Sequence, residues 1–195
     1  MPAGVLSSFI VYVLINAFTP GPGNILALNT VTNYGWKRGK PLFFGIFAGY
    51  YAVQLLCAIF VFMAGAYLPG AVYAMKYIGA AYILWLAIHV ALDKPTLEDG
   101  VESASFAKGF ILQFANIKIF MFGITALSGF VVPYSASLTT LVMTEIMIAT
   151  VGTIATISWI GMGTLIQEFY LKHYRIINAV LALTLLECIW SILKT

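Results

Sequence analysis

The sequence predicts an all-α polytopic membrane protein, with six transmembrane helices arranged as two inverted three-helix repeats. Three observations carry that prediction. The first is composition: of 195 residues, 62% are hydrophobic and only 9% charged, with a mean hydropathy of +0.97. A soluble domain keeps about a quarter of its residues charged. The second is the length of the apolar runs, which exceed the roughly 18 residues that suffice to cross hydrocarbon. Alternating strands of roughly ten residues, the mark of a membrane barrel, are absent, and helices are the remaining way to satisfy backbone in lipid. The third is a pattern of breaks and polar residues that recurs in both halves of the chain.

The first span runs from about Ala3 to Val31. No Lys or Arg precedes its apolar stretch, so it reads as a retained span rather than a signal peptide. The second covers Pro41 to Tyr67 and holds no charged residue. The third follows Pro69 and Gly70 and ends near Leu92. The polar stretch Asp93 to Lys108, containing DKPTLEDGVES, is the one substantial loop and is expected to be cytoplasmic. The fourth span runs from Gly109 to Val132 and stops at Pro133; the fifth covers Leu138 to Ile166 and the sixth Ile176 to Leu193. All of it, residues 1–195, forms one transmembrane domain, with repeat 1 at about 1–92 and repeat 2 at about 106–195.

Orientation follows from Lys and Arg in the short loops. Lys37, Arg38, Lys40, Lys94, Lys108, Lys172 and Arg175 follow spans one, three and five. The connections LPG and VPYSAS, after spans two and four, hold none, and only Lys76 and Lys194 lie on that side. Both termini are therefore expected outside. The repeat shows in spacing more than in letters. FTPGP in span one matches FANIK in span four, and KYIGAAYILWL in span three matches RIINAVLALTL in span six at nearly the same separation. An odd number of spans per copy makes the repeat inverted, a recurrent plan of secondary transporters.

FTPGPGN, Phe18 to Asn24, is the first candidate site. One proline costs roughly 3 kcal/mol in a helix interior; Pro20, Gly21, Pro22 and Gly23 together read as unwinding rather than a kink. Unwound backbone survives at membrane depth only against protein or a water-filled cavity. A half-helix starting after the break would turn its amides toward that gap and bind a carboxylate. Asn24 is expected as its N-cap and Thr19 as a hydroxyl donor. The second candidate is Asn116-Ile117-Lys118, about ten residues into span four, where a lysine costs about 2.5 to 3.5 kcal/mol on insertion scales. Gln113, one turn earlier, would share its cavity.

The remaining polar residues divide. Gln54 either lines the cavity or bonds across helices. Glu187 in span six is a candidate proton carrier or partner of the ammonium, or else lies near the outer interface. Glu145 reads as interfacial at the start of span five, and His89 as an interface histidine. Gly45-x-x-x-Gly49 and Gly161-x-Gly163 read as close helix packing. Cys57 and Cys188 form no Cys-x-x-Cys motif, so neither a redox shuttle nor a zinc site is expected. No hydrolase or phosphate-loop motif points to an enzyme, no metal or other cofactor is expected, and no dense basic face points to nucleic acid.

At TPGPGN and NIK the chain resembles the lysine exporter / homoserine–threonine resistance family of bacterial amino-acid efflux proteins. In that family the first span carries Thr-Pro-Gly-Pro and Asn before a basic loop, here YGWKRG, and the fourth carries Asn-Pro-Lys or a variant. NILAL, GAAYILWLA, LEDG, LQFANIKI, GITALSGFVVP and NAVLAL are most similar to its cysteine/O-acetylserine exporter branch. Two departures stand out. Gly23 replaces a common Asn, which implies a looser break, and Ile117 replaces a common Pro, which implies a more continuous fourth span. The resemblance implies efflux of a small amino acid across the bacterial inner membrane, driven by the proton gradient. Its substrate carboxylate would sit on Gly21 to Asn24 with Lys118 or Asn116 nearby. Export of threonine, homoserine, leucine, a basic amino acid or a metal ion stays open, as does a homodimer. The lipid bilayer is the other expected partner.

Overall fold

The computed structural model describes residues 1–19, 21–67, 77, 80, 81, 83–85, 87, 88, 91, 92 and 104–194. Its elements are α1 (Ala3–Phe18), α2 (Pro22–Tyr67), α3 (Phe106–Ala115), α4 (Ile117–Ala126), a π-helical turn (Leu127–Val131) and α5 (Leu138–Lys194). All are helical. Most of the expected third span and the acidic loop, including Lys76 and His89, lie outside the described residues, as do Pro20 and the side chain of Glu187.

Two stretches are long and apolar enough to cross a membrane unaided, Tyr34–Gly65 and Leu138–Gly161. Two bent pairs each supply the length of one more span: Ala3–Phe18 with Pro22–Val31, at 45°, and Phe106–Ala115 with Ile117–Val131, at 58°. The arithmetic explains the pairing. At 1.5 Å per residue the 16 residues of α1 reach about 24 Å, short of the ~30 Å hydrocarbon core, so the crossing is completed beyond the break. The described residues therefore hold four of the six expected spans when each bent pair is one span.

Several expectations are corrected. The connection after the first span is helical rather than a loop, interrupted at Gly35 (φ 71°, ψ 168°), so the second rod starts well before Pro41. The loop expected before the sixth span is likewise helical, and the interruption falls at Gly163 (φ 42°). Both values lie where a Cβ is strained and glycine is not. A Cβ on Gly161 or Gly163 would meet nothing within 4 Å, so this pair marks a bend instead of a packing contact. The fourth span is not continuous despite Ile117: Asn116 leaves the helix (φ −87°, ψ 90°), and the bend there is sharper than in the first span.

Gly45 and Gly49 do pack closely, on α3. A Cβ on Gly45 would strike the Phe106 carbonyl, one on Gly49 would lie 2.8 Å from the Phe110 carbonyl, and one on Gly109 would strike the Leu42 carbonyl. Small residues let helix backbones approach where lipid offers no hydrophobic drive. The main core joins α1, α2, α4, the π-helical turn and α5. At its centre Tyr12 stacks on Phe130 (5.4 Å between centroids) and meets Phe122 edge-on at 5.5 Å. Its hydroxyl donates to the Phe122 carbonyl at 3.3 Å. The π-helical turn, where Val132 N–H reaches the Leu127 carbonyl at 2.8 Å, swings Phe130 into that cluster.

Candidate functional site

A helix that stops inside a membrane leaves carbonyls without partners, and each must be satisfied by protein or water. At the end of α1 three other elements supply the donors. Asn24 on α2 donates from Nδ2 to the Ala17 carbonyl (3.0 Å) and the Thr19 carbonyl (3.4 Å). Trp159 on α5 donates from Nε1 to the Phe18 carbonyl at 3.2 Å. Lys118 on α4 donates from Nζ to the Thr19 carbonyl at 3.1 Å. The break after α1 is thus stitched to both halves of the chain.

This changes the expected roles of two residues. Asn24 does not cap α2. It reaches back to α1 and accepts a hydrogen bond from the Thr156 hydroxyl at 2.8 Å, because α2 already begins at Pro22 and the Gly21 carbonyl takes its first bond, from Ile25 N–H at 2.9 Å. The Thr19 hydroxyl donates to the Ile15 carbonyl of its own helix, so Thr19 offers the site its carbonyl instead.

The second break is built differently. Asn116 accepts the Lys118 backbone N–H on Oδ1 at 3.1 Å and so caps α4. An asparagine cap ends one helix and starts the next without any proline, which is why Ile117 does not restore continuity. Lys118 follows directly in the first turn of α4 and is half-buried. Gln113, fully buried on α3, donates from Nε2 to the Gly109 carbonyl at 3.0 Å, and its Oε1 has no partner.

Between the two breaks lies a cavity of about 20 Å³, about enough for one water molecule. Gly21, Gly23, Asn24, Gln113, Asn116, Lys118 and Thr156 form its polar wall, and Ile46, Tyr50, Ile119 and Phe122 its apolar wall. Both glycines earn their place by proximity. A Cβ on Gly21 would lie 3.2 Å from Lys118 Nζ, and one on Gly23 would lie 3.3 Å from Gln113 Oε1. No carboxylate lines the cavity among the described residues.

The expected site residues therefore divide. Gly21, Gly23, Asn24, Gln113, Asn116 and Lys118 come together, and the Thr19 carbonyl joins them. Pro22 is exposed at the first position of α2, Pro20 lies outside the described residues, and so does the Glu187 side chain. Gln54 is fully buried away from the cavity wall, with neither side-chain atom bonded. Glu145, expected near the interface at the start of span five, is fully buried within the protein too. Thr156 and Trp159 escaped the sequence reading. Their signal was a polar pair one turn apart on span five, which places them on one helix face.

Comparison with known proteins identifies the family. The model of the LysE type translocator family matches residues 14–187. The cysteine/O-acetylserine efflux protein of Escherichia coli strain K12 is 41% identical over 190 residues, covering 96% of this chain and 97% of the relative. The proteins of the same name from Shigella sonnei strain Ss046 and E. coli O139:H28 are equally similar. No solved structure matches the chain significantly.

Proposed function

Because the chain belongs to the LysE type translocator family, we propose that it exports a small neutral amino acid, cysteine or O-acetylserine, across the bacterial inner membrane. One observation carries the choice of an amino acid: a half-buried ammonium and a buried, unpaired amide oxygen border the same small cavity. A zwitterion needs both. Its carboxylate would replace the Thr19 carbonyl on Lys118 Nζ, with the first amides of α2 adding their partial positive charge. Its ammonium would donate to Gln113 Oε1. A basic side chain would find no carboxylate among the described lining residues, which favours a neutral substrate over lysine or arginine.

The cavity holds about 20 Å³, while small-molecule sites take roughly 300 Å³ or more, so this conformation is closed. Opening on either side would come from rocking the two three-span repeats about the breaks, with proton entry driving substrate exit and both termini outside. The Asn24–Thr156 bond, which ties span one to span five, is one of the contacts such rocking would break.

The test is Lys118→Ala in inside-out vesicles supplied with a panel of labelled amino acids, with and without a pH gradient. Uptake of cysteine or O-acetylserine should fall to background at unchanged membrane protein level. Normal uptake by the variant would remove Lys118 from the site.

A further inference from the structure

A second polar group lies buried outside the cavity wall. Glu145 of α5 and Gln54 of α2 are both fully buried, and none of their side-chain oxygens or nitrogens has a hydrogen-bond partner. They border the same gap. A Cβ on Gly123 of α4 would strike Gln54 Oε1 and lie 3.0 Å from Glu145 Oε1. Glu145 is seven residues beyond Leu138, so it sits about 10 Å along the fifth span.

Such an arrangement is costly unless something uses it. A carboxylate buried without a counter-charge is strongly disfavoured, and the neutral acid far less so. Among the described residues around this gap, Gln54, Glu145 and Cys57, none is a cation. Cys57, on α2, borders the same gap and turns its thiol to the Phe120 carbonyl at 3.6 Å. Lys118 lies more than a turn before Gly123 on α4, with its ammonium on Thr19. Acidic or basic groups able to hold a metal ion do not cluster here among the described residues. Gln54 is suited to both forms of the acid, since Oε1 accepts an O–H and Nε2 donates to a carboxylate.

We propose that Glu145, with Gln54 as its switching partner, is the proton-carrying site of this transporter. The inference rests on the efflux reading above. With the site open outward, a hydronium ion gives its proton to the Glu145 carboxylate, forming an O–H bond and leaving water. The neutral acid is then carried through the closed packing seen here. Opened inward, the O–H bond breaks and the proton passes to water on the cytoplasmic side. α4 carries both Gly123 and Lys118, so one rigid element links the proton site to the substrate cavity.

The experiment uses inside-out vesicles and two readouts with labelled O-acetylserine: accumulation driven by an acidic lumen, and exchange against unlabelled substrate without a gradient. Glu145→Gln, which keeps the shape of the neutral acid, should lose accumulation at least tenfold and keep exchange. Accumulation by this variant at the wild-type level overturns the assignment. If it loses both activities, Glu145→Asp decides. A shifted pH midpoint of exchange relative to wild type upholds the proposal, and an unshifted one overturns it. A wild type that exchanges neither O-acetylserine nor cysteine overturns the efflux reading and this inference together.

Discussion

Lys118 and Gln113 show what single residues do in this cavity. The ammonium already holds the Thr19 carbonyl, so under the proposed function substrate binding would exchange one partner for another. Gln113 Oε1, by contrast, is buried with no bond to lose, and any donor that reaches it gains one. A hydrogen bond to a charged group contributes about 1.5–3 kcal/mol, and 1.4 kcal/mol is a factor of about ten. Gln113→Leu should therefore raise KM for O-acetylserine at least about tenfold while leaving membrane protein level unchanged. Uptake kinetics measure it, and an unchanged KM would take Gln113 out of the binding step. Gln54 teaches the opposite lesson. Its residue type marked it as a polar group inside the membrane, yet only packing assigned it to Glu145 instead of the cavity.

Each break is an element-scale device with its own chemistry. The first comes from proline and glycine and is stabilised from outside, by Asn24, Trp159 and Lys118. The second comes from the asparagine cap at Asn116 and is stabilised within its own turn. The α2–α3 contact depends on glycine faces. Gly45→Ala would drive a methyl into the Phe106 carbonyl, and overpacking of this kind costs about 1–3 kcal/mol. We expect a lower Tm in detergent, by about 2–4 °C per kcal/mol for a chain of this size. Thermal unfolding followed by circular dichroism measures it, and a Tm equal to wild type would show that the two helices can separate freely. Gly35 and Gly163 act differently, since positive φ rather than proximity demands glycine there.

For the molecule as a whole, charge sets the expected orientation. Lys37, Arg38 and Lys40 sit exposed just beyond Gly35, on the side where basic loops place the cytoplasm. A phosphatase fused after Thr195 should therefore be active and a fluorescent protein in the same place dark; the reverse pattern would turn the molecule over. Composition was enough to determine a helical membrane protein, because so few charges cannot solvate a soluble surface. PGPG was enough to locate the first break, and NIK to mark a lysine inside the fourth span, because proline, glycine and a lysine at membrane depth are costly wherever they fall. The sequence was misleading on continuity and on burial. It could not reveal that Asn116 would bend its span without proline, or that Glu145 would be sealed inside, since a cap and a burial depend on which neighbours arrive. Nor could it pair Asn24 with Thr156 or bring Trp159 to Phe18, residues far apart along the chain. Local costs are written in the order of residues. Which distant side chain meets each cost was decided only when the helices packed.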